Sequence, residues 1–345
     1  MAGPILYDTG PAVLVTGGCG FIGSHLCAAL VAQGARLRVL DDLSTGRHDN
    51  LPAGAELIEA DVGDPGVLAA AMAGMDACFH LAAIASVERG VRDWLGTHRT
   101  NLSASIAVFD AARQEAARAG RPVPVVYASS AAVYGDATTL PIAETTPPRP
   151  LSAYGADKLG CEQHALVAGH VHGVPTVGLR FFNVFGPRQD PASPYSGVIS
   201  IFCDRIRRDE PVRIYGDGGQ TRDFIYVTDV VAALLAAWRR AASDAPVYNV
   251  CRGEACSVQA LADTIAHIAG KPLVVQREAA RLGEIRHSIG SPARARDGLG
   301  LAAATPLEEG LRQVLAWMNG QDGAGAAPEA ALTVRSRRAA TVSVQ

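Results

Sequence analysis

Tyr154 and Lys158 stand four residues apart in SAYGADKLG (152–160), and Lys158 is one of only two lysines in a chain that otherwise uses arginine. Positions i and i+4 of a helix share a face, so the phenol and the ammonium would point at one place. A cation beside a phenol favours the phenolate, which brings a hydroxyl of pKa about 10 toward the range of a general base. Spacing alone also fits an accidental surface pair, so the surroundings decide.

Those surroundings alternate. The apolar runs AVLVT (12–16), RLRVL (36–40), ELIEAD (56–61), ACFHLAA (77–83), VPVVYASS (123–130) and TVGLRFF (176–182) are separated by helical patterns, the first from about Phe21. Strand, helix, strand repeated this way predicts an α/β fold, a doubly wound parallel sheet with helices on both faces. Ligands of such sheets bind at the carboxyl ends of the strands, where the unusual residues fall. From Gly186 the rhythm breaks into the Pro- and Gly-rich GPRQDPASPYSG, and shorter elements follow. Residues 1–184 therefore read as a dinucleotide-binding domain, with FIYVTDV and VYNV (within 224–250) returning to its sheet. Residues 185–223 and 251–320 read as a smaller α/β lobe capping the strand ends. Residues 321–345, small, polar and without periodicity, read as a disordered tail.

At 345 residues the chain can bury a large core. A net charge of −3 gives no electrostatic case for nucleic acid or an anionic membrane. Seven scattered cysteines, an odd number in no CxxC arrangement, argue against a disulfide framework or a zinc site and suit a reducing cytoplasm. The N-terminus has no basic region followed by a long apolar one, and no run reaches transmembrane length. A soluble cytoplasmic protein is expected. GHVHG (169–173) has the look of a metal pair but reads better as a helix end, so no metal is expected.

VTGGCGFIGSHL (15–26) places Gly17, Gly20 and Gly23 between the first strand and the first helix. Glycines there allow a tight turn and the approach of a pyrophosphate to the helix N-terminus. The spacing is GxxGxxG, in the required context of strand before and helix after. Asp41 ends the second strand, where a carboxylate takes the adenosine ribose hydroxyls and repels a 2′-phosphate, which favours NAD over NADP. Arg47 nearby works against that preference. Asp61, ending the third strand, is placed either to reach the adenine or simply to cap its strand.

These segments, with DDLSTG (41–46), HLAA (80–83), YASSAAVYGD (127–136), LRFFNVFGPRQDP (179–191) and GDGGQTRDFIYVTDVV (216–231), resemble the extended short-chain dehydrogenase/reductases. Within them the chain looks most like the UDP-sugar 4-epimerases, over about residues 12–318. The resemblance implies a Rossmann-type NAD-binding fold in which Tyr154 is the catalytic base. Lys158 tunes it and holds the nicotinamide ribose, and Ser130 bonds the reacting hydroxyl. It implies further NAD contacts from Phe21 and Ile22, from Asp42, Leu43, Thr45 and Gly46, and from Val62. Leu81, Ala82 and Ala83, then Asn101, Ser129 and Phe181, complete that set.

For the substrate the resemblance implies Arg222 and Arg281 on the pyrophosphate, Asn183 and Val198 beside phosphate or sugar, Tyr215 on uracil and Glu284 on the uridine ribose. Ser288 falls where family members vary between bulky and small, and a serine there leaves room for a 2-acetamido group. Arg89 and Arg188 could take a C6 carboxylate. Related sugar dehydratases carry Thr-Asp-Glu where this chain has Ser130-Ala131-Ala132, and the missing acids argue against expulsion of water. The implied reaction is a 4-epimerisation of a UDP-sugar by transient oxidation at C4, in a homodimer. A nucleotide-sugar dehydrogenase or decarboxylase, and an NAD-sensing scaffold without activity, are the alternatives.

Overall fold

Val13 and Val15 alternate with Ala12 and Leu14, and all are fully buried, as a strand covered by helices on both faces requires. A computed structural model describes residues 10–85, 87–193, 196–280 and 285–323. Its first strands are β1 (Ala12–Thr16), β2 (Arg36–Asp41), β3 (Glu56–Glu59), β4 (Ala77–His80), β5 (Val125–Ser130), β6 (Thr176–Phe181) and β7 (Asn183–Phe185). Then come β8 (Val212–Tyr215), β9 (Thr221–Tyr226), β10 (Val247–Val250), β11 (Ala255–Ser257), β12 (Val275–Glu278) and β13 (His287–Ser288). The helices are α1 (Phe21–Ala32), α2 (Pro65–Met72), α3 (Val87–Arg92), α4 (Trp94–His98), α5 (Ala104–Ala119) and α6 (Ala153–His172). They continue with α7 (Val198–Arg207), α8 (Val227–Trp238), α9 (Val258–Ala269), α10 (Ala293–Leu299) and α11 (Leu307–Gly323).

Seven strands form the main sheet in the order β10-β6-β5-β4-β1-β2-β3, and every neighbouring pair is parallel. This is the doubly wound, Rossmann-type arrangement expected from the alternation. One face buries Val13, Val15, Val39 and Phe79 against Leu26 and Leu30 of α1 and Val230 and Leu234 of α8. The other buries Leu14, Leu40 and Cys78 against Leu68 of α2, Val108 of α5 and Ala165 of α6. Each fully buried Val or Leu contributes about 1.5–3 kcal/mol relative to exposure. Thr16, Asp41, His80, Ser130 and Phe181 consequently come to the same sheet edge.

A second core joins Phe202 and Ile206 of α7, Leu261 and Ile265 of α9, and Leu311 and Val314 of α11 to Ile214 of β8 and Phe224 of β9. Its sheets are β11-β9-β13 with β7 beside β9, and the pair β12-β8. VYNV joins the main sheet as β10 beside β6. The expected return of FIYVTDV does not occur, because β9 is claimed by β7, β11 and β13 of the smaller sheet. Ile225 of β9 and the helix that follows, α8, pack on the main sheet without joining it. α11 runs to Gly323, inside the stretch read as a tail, whose remainder (324–345) lies outside the described residues. Among the described residues no helix is long and apolar enough to cross a membrane.

Candidate active site

Along the carboxyl edge of the main sheet runs a cleft of about 620 Å³, walled on its far side by Asn183, Gly197, Val198 and Phe224 of the smaller lobe. Its floor is the turn between β1 and α1. Gly17 there has φ +71°, and a Cβ on it would lie 2.7 Å from the Ala82 amide nitrogen. Gly20 caps α1 with no side chain bonded to the helix end, so the first-turn residues Phe21, Ile22 and Gly23 face the cleft. A backbone cradle at a helix N-terminus fits the pyrophosphate of a dinucleotide.

Asp41, at the end of β2, is 7% exposed and accepts from the amides of Cys19 and Leu43, both at 2.9 Å. Burial raises its pKa, against the lowering by those two amides. Asp42, Thr45, Asp61, Val62, Leu81, Ala82, Ala83 and Phe181 all reach the cleft, as do Arg47 and Asn50. Burial pushes the Cys19 thiol up to about 12, so this cysteine of the turn is no nucleophile. Leu43 and Gly46 flank Asp41 without lining the cleft.

Asn101 does not line the cleft either. Its side chain accepts from Ile84 N at 2.8 Å and donates to Ile84 O at 3.1 Å, fixing the loop after β4. It lies in a π-helical turn, Arg99–Ser103, that leads into α5. The same loop is held from below. Thr16 Oγ1 accepts from Ala82 N at 3.3 Å and lies 2.7 Å from His80 Nδ1. His80 Nε2 lies 2.9 Å from Ser105 Oγ, which donates to Asn101 O at 2.6 Å. With its one proton given to Asn101, Ser105 must accept from His80, so His80 carries its proton on Nε2 and accepts at Nδ1. Burial, then Lys158, lowers the His80 pKa to about 3 and keeps the ring neutral.

The opposite wall is β5 and α6. Ser152 caps α6 by accepting from Gly155 N at 3.1 Å. Gly155 lets the helix start close to the loop after β5, since a Cβ there would come to 2.5 Å from Ala132 O. The spacing then delivers Tyr154 and Lys158 to one face, and both line the cleft with Ser130. Lys158 is 2% exposed, with Nζ 5.9 Å from the Tyr154 ring centroid. Ser130 Oγ accepts from Ala132 N at 3.1 Å, leaving its own proton to donate into the cleft. Ser129 borders the cleft, but its hydroxyl is committed to Glu162 at 2.5 Å.

On the far wall Asn183 donates to Asp223 O at 3.2 Å, Arg188, Gln189 and Asp190 also line the cleft, and Arg89 of α3 lines it as well. Tyr215, Arg222 and Ser288 are off the cleft walls. Ser288 pairs with Arg222 across β13 and β9, and Tyr215 ends β8. Arg281 and Glu284 lie outside the described residues. Sequence reasoning passed over Thr16, His80, Glu162 and Arg180. A polar residue inside an otherwise apolar strand was the available signal for His80 and Arg180.

The family model described as "NAD dependent epimerase/dehydratase family" matches residues 13–251. A putative UDP-glucose 4-epimerase of Methanocaldococcus jannaschii is 34% identical over 310 residues, covering 89% of this chain and 98% of that protein. The structure of a UDP-N-acetylglucosamine 4-epimerase from Methanobrevibacter ruminantium, in complex with UDP-N-acetylmuramic acid, superposes with a TM-score of 0.84 at 34% identity. It covers 91% of this chain and 99% of its own. The UDP-glucose 4-epimerase of Thermus thermophilus in complex with NAD gives 0.82 at 35% identity, covering 90% and 99%. The chain belongs to the NAD-dependent epimerase/dehydratase family, as an extended short-chain dehydrogenase/reductase of the UDP-sugar 4-epimerase type, and is an NAD-dependent isomerase.

Proposed function

We propose that the protein interconverts UDP-glucose and UDP-galactose, and also takes the corresponding 2-acetamido sugars. The observation that carries this reading is the convergence of Tyr154, Lys158 and Ser130 on one wall of a cleft floored by the glycine turn. Bound NAD would supply the hydride acceptor that lets C4 be oxidised and then reduced on its other face. Gly17, Gly20 and Asp41 would hold it, and Lys158 would hold its nicotinamide ribose. Tyr154 takes the proton of the C4 hydroxyl and later returns one. Ser130 donates to the same oxygen and orients it. The residues after Ser130, Ala131 and Ala132, offer no acid or base for expelling water. Asn183 and Val198 border the sugar from the far wall, while Arg222, Arg281, Tyr215 and Glu284 serve the nucleotide diphosphate.

Ser288, small and half-buried beside Arg222 though off the cleft walls, is the side chain whose size would admit the acetamido group. Arg89 and Arg188 share the cleft with Asp190, so its charge does not single out a uronic acid. The protein pairs with a second copy through α3 to α6, where Val91, Trp94, Leu95, Leu166, Val167 and Val171 stand exposed, Trp94 at 71%.

Incubation with UDP-glucose, UDP-N-acetylglucosamine and UDP-glucuronate tests the proposal. The galacto epimers of the first two are expected, with no free NADH. Accumulating NADH would identify a dehydrogenase, and no turnover at all would favour a sensing scaffold.

A further inference from the structure

Helix α6 carries Tyr154, Lys158 and Glu162 along one stripe, each a turn from the next. The first two reach the cleft, whereas Glu162 is 6% exposed and turned to the strands. It accepts from Ser129 Oγ at 2.5 Å, and Ser129 directly precedes Ser130 on β5. Both its oxygens also accept from Arg180 of β6, from Nε at 2.8 Å and Nη2 at 2.6 Å. Arg180 is itself clamped. Its Nη1 donates to Tyr134 Oη at 2.7 Å, its guanidinium lies 4.7 Å from the Tyr134 ring centroid, and Tyr134 donates to Asn249 of β10 at 2.7 Å.

We propose that Glu162 and Arg180 are positioning residues for the C4 chemistry: Glu162 sets the distance between Ser130 on β5 and the Tyr154–Lys158 pair on α6, and Arg180 keeps its carboxylate from capturing Lys158. The proposal rests on the reading of those three residues as the reacting wall. A carboxylate one turn from Lys158 would otherwise draw the ammonium along the helix and out of the cleft. The planar guanidinium occupies both oxygens in a fork, which a single ammonium would not do. Stability alone does not account for the pair, because apolar side chains of similar volume often replace a buried ion pair without loss. A tie between the two carriers does account for it, since a displacement of about 1 Å among reacting groups can cost about a hundredfold in rate.

The test is the double variant Glu162→Leu/Arg180→Met, with Ser129→Ala and Tyr154→Phe alongside. The double variant is expected to fold, melt close to wild type and bind NAD, yet lose at least about tenfold in kcat on UDP-glucose with KM within about twofold. Ser129→Ala keeps the ion pair and removes only the tie, and is expected to lose about three- to tenfold in kcat at unchanged thermal stability. A folded double variant with wild-type kcat, beside an inactive Tyr154→Phe, would overturn the proposal and leave the reading of the wall intact. If the double variant does not fold, wild-type kcat in Ser129→Ala overturns it. Wild-type kcat in Tyr154→Phe would remove the reading of the wall and the proposal with it.

Discussion

The two sides of the cleft are built differently. The side proposed for the cofactor lies at the carboxyl edge of seven parallel strands: the glycine turn after β1, Asp41 at the end of β2 and the loop after β4. Buried bonds fix it from behind, through Thr16, His80 and Ser105. The side proposed for the sugar is made by side chains on the short strands β7 and β9, on the residues that follow β7 and on the start of α7. Asn183 and Val198 reach the cleft there, while Arg222, Tyr215 and Ser288 stand off its walls. A site cut by regular crossovers is rigid and shared by many ligands, whereas one borne on short strands can be retuned by single side chains. Changes on the first side should therefore be severe, and changes on the second graded by substrate.

The largest expected effect is at the reacting wall. Tyr154→Phe should keep its fold and its NAD but lose at least about a hundredfold in kcat, measured by product formation under saturating UDP-glucose. Near wild-type turnover in a folded protein would break the comparison at its centre. Gly17→Ala comes next. It forces an L side chain into φ +71°, 2.7 Å from Ala82 N, at about 1–2 kcal/mol, which predicts roughly a tenfold or greater loss of NAD affinity by titration calorimetry. Unchanged affinity would mean that the backbone cradle is not the cofactor's seat.

On the sugar side Ser288→Tyr should lower the ratio of UDP-N-acetylglucosamine to UDP-glucose turnover by about tenfold and spare UDP-glucose itself. A ratio that does not move would remove Ser288 as the gate. The smallest effect belongs to Asp41. At neutral pH its carboxylate opposes the 2′-phosphate of NADP, and that opposition vanishes once the group is protonated. Because burial raises its pKa, the NAD preference should begin to weaken on acidification above the ordinary aspartate value of about 3.9. Cofactor affinities compared at several pH values check this; a preference constant to lower pH would assign the selectivity elsewhere.

Local features of the sequence carried most of the main-sheet side of the cleft. The glycine spacing, the acid ending β2 and the Tyr154–Lys158 interval each declare themselves within one element and its flanks. The parallel sheet was readable because apolar runs and helical patterns alternate. The sheet membership of FIYVTDV was not, since a short apolar run looks the same whichever neighbours claim it, and β7 and β13 come from far along the chain. Arg180 could be noticed as a charge in an apolar strand, but the pairing of Glu162 with Arg180 was illegible for a related reason. Their partners lie on α6, β5, β6 and the turn after β5, and no spacing brings those together before the chain folds. Asn101 was expected against the cofactor, but its amide clamps Ile84, a role visible only once the loop after β4 is in place.

Hydride return within one bound complex is the central claim, and an isotope label follows it directly. UDP-glucose carrying deuterium at C4 should yield UDP-galactose that retains the deuterium at C4, with none in water or in free NADH, as measured by mass spectrometry and proton NMR. Label washed into solvent or accumulating on released cofactor would contradict the account.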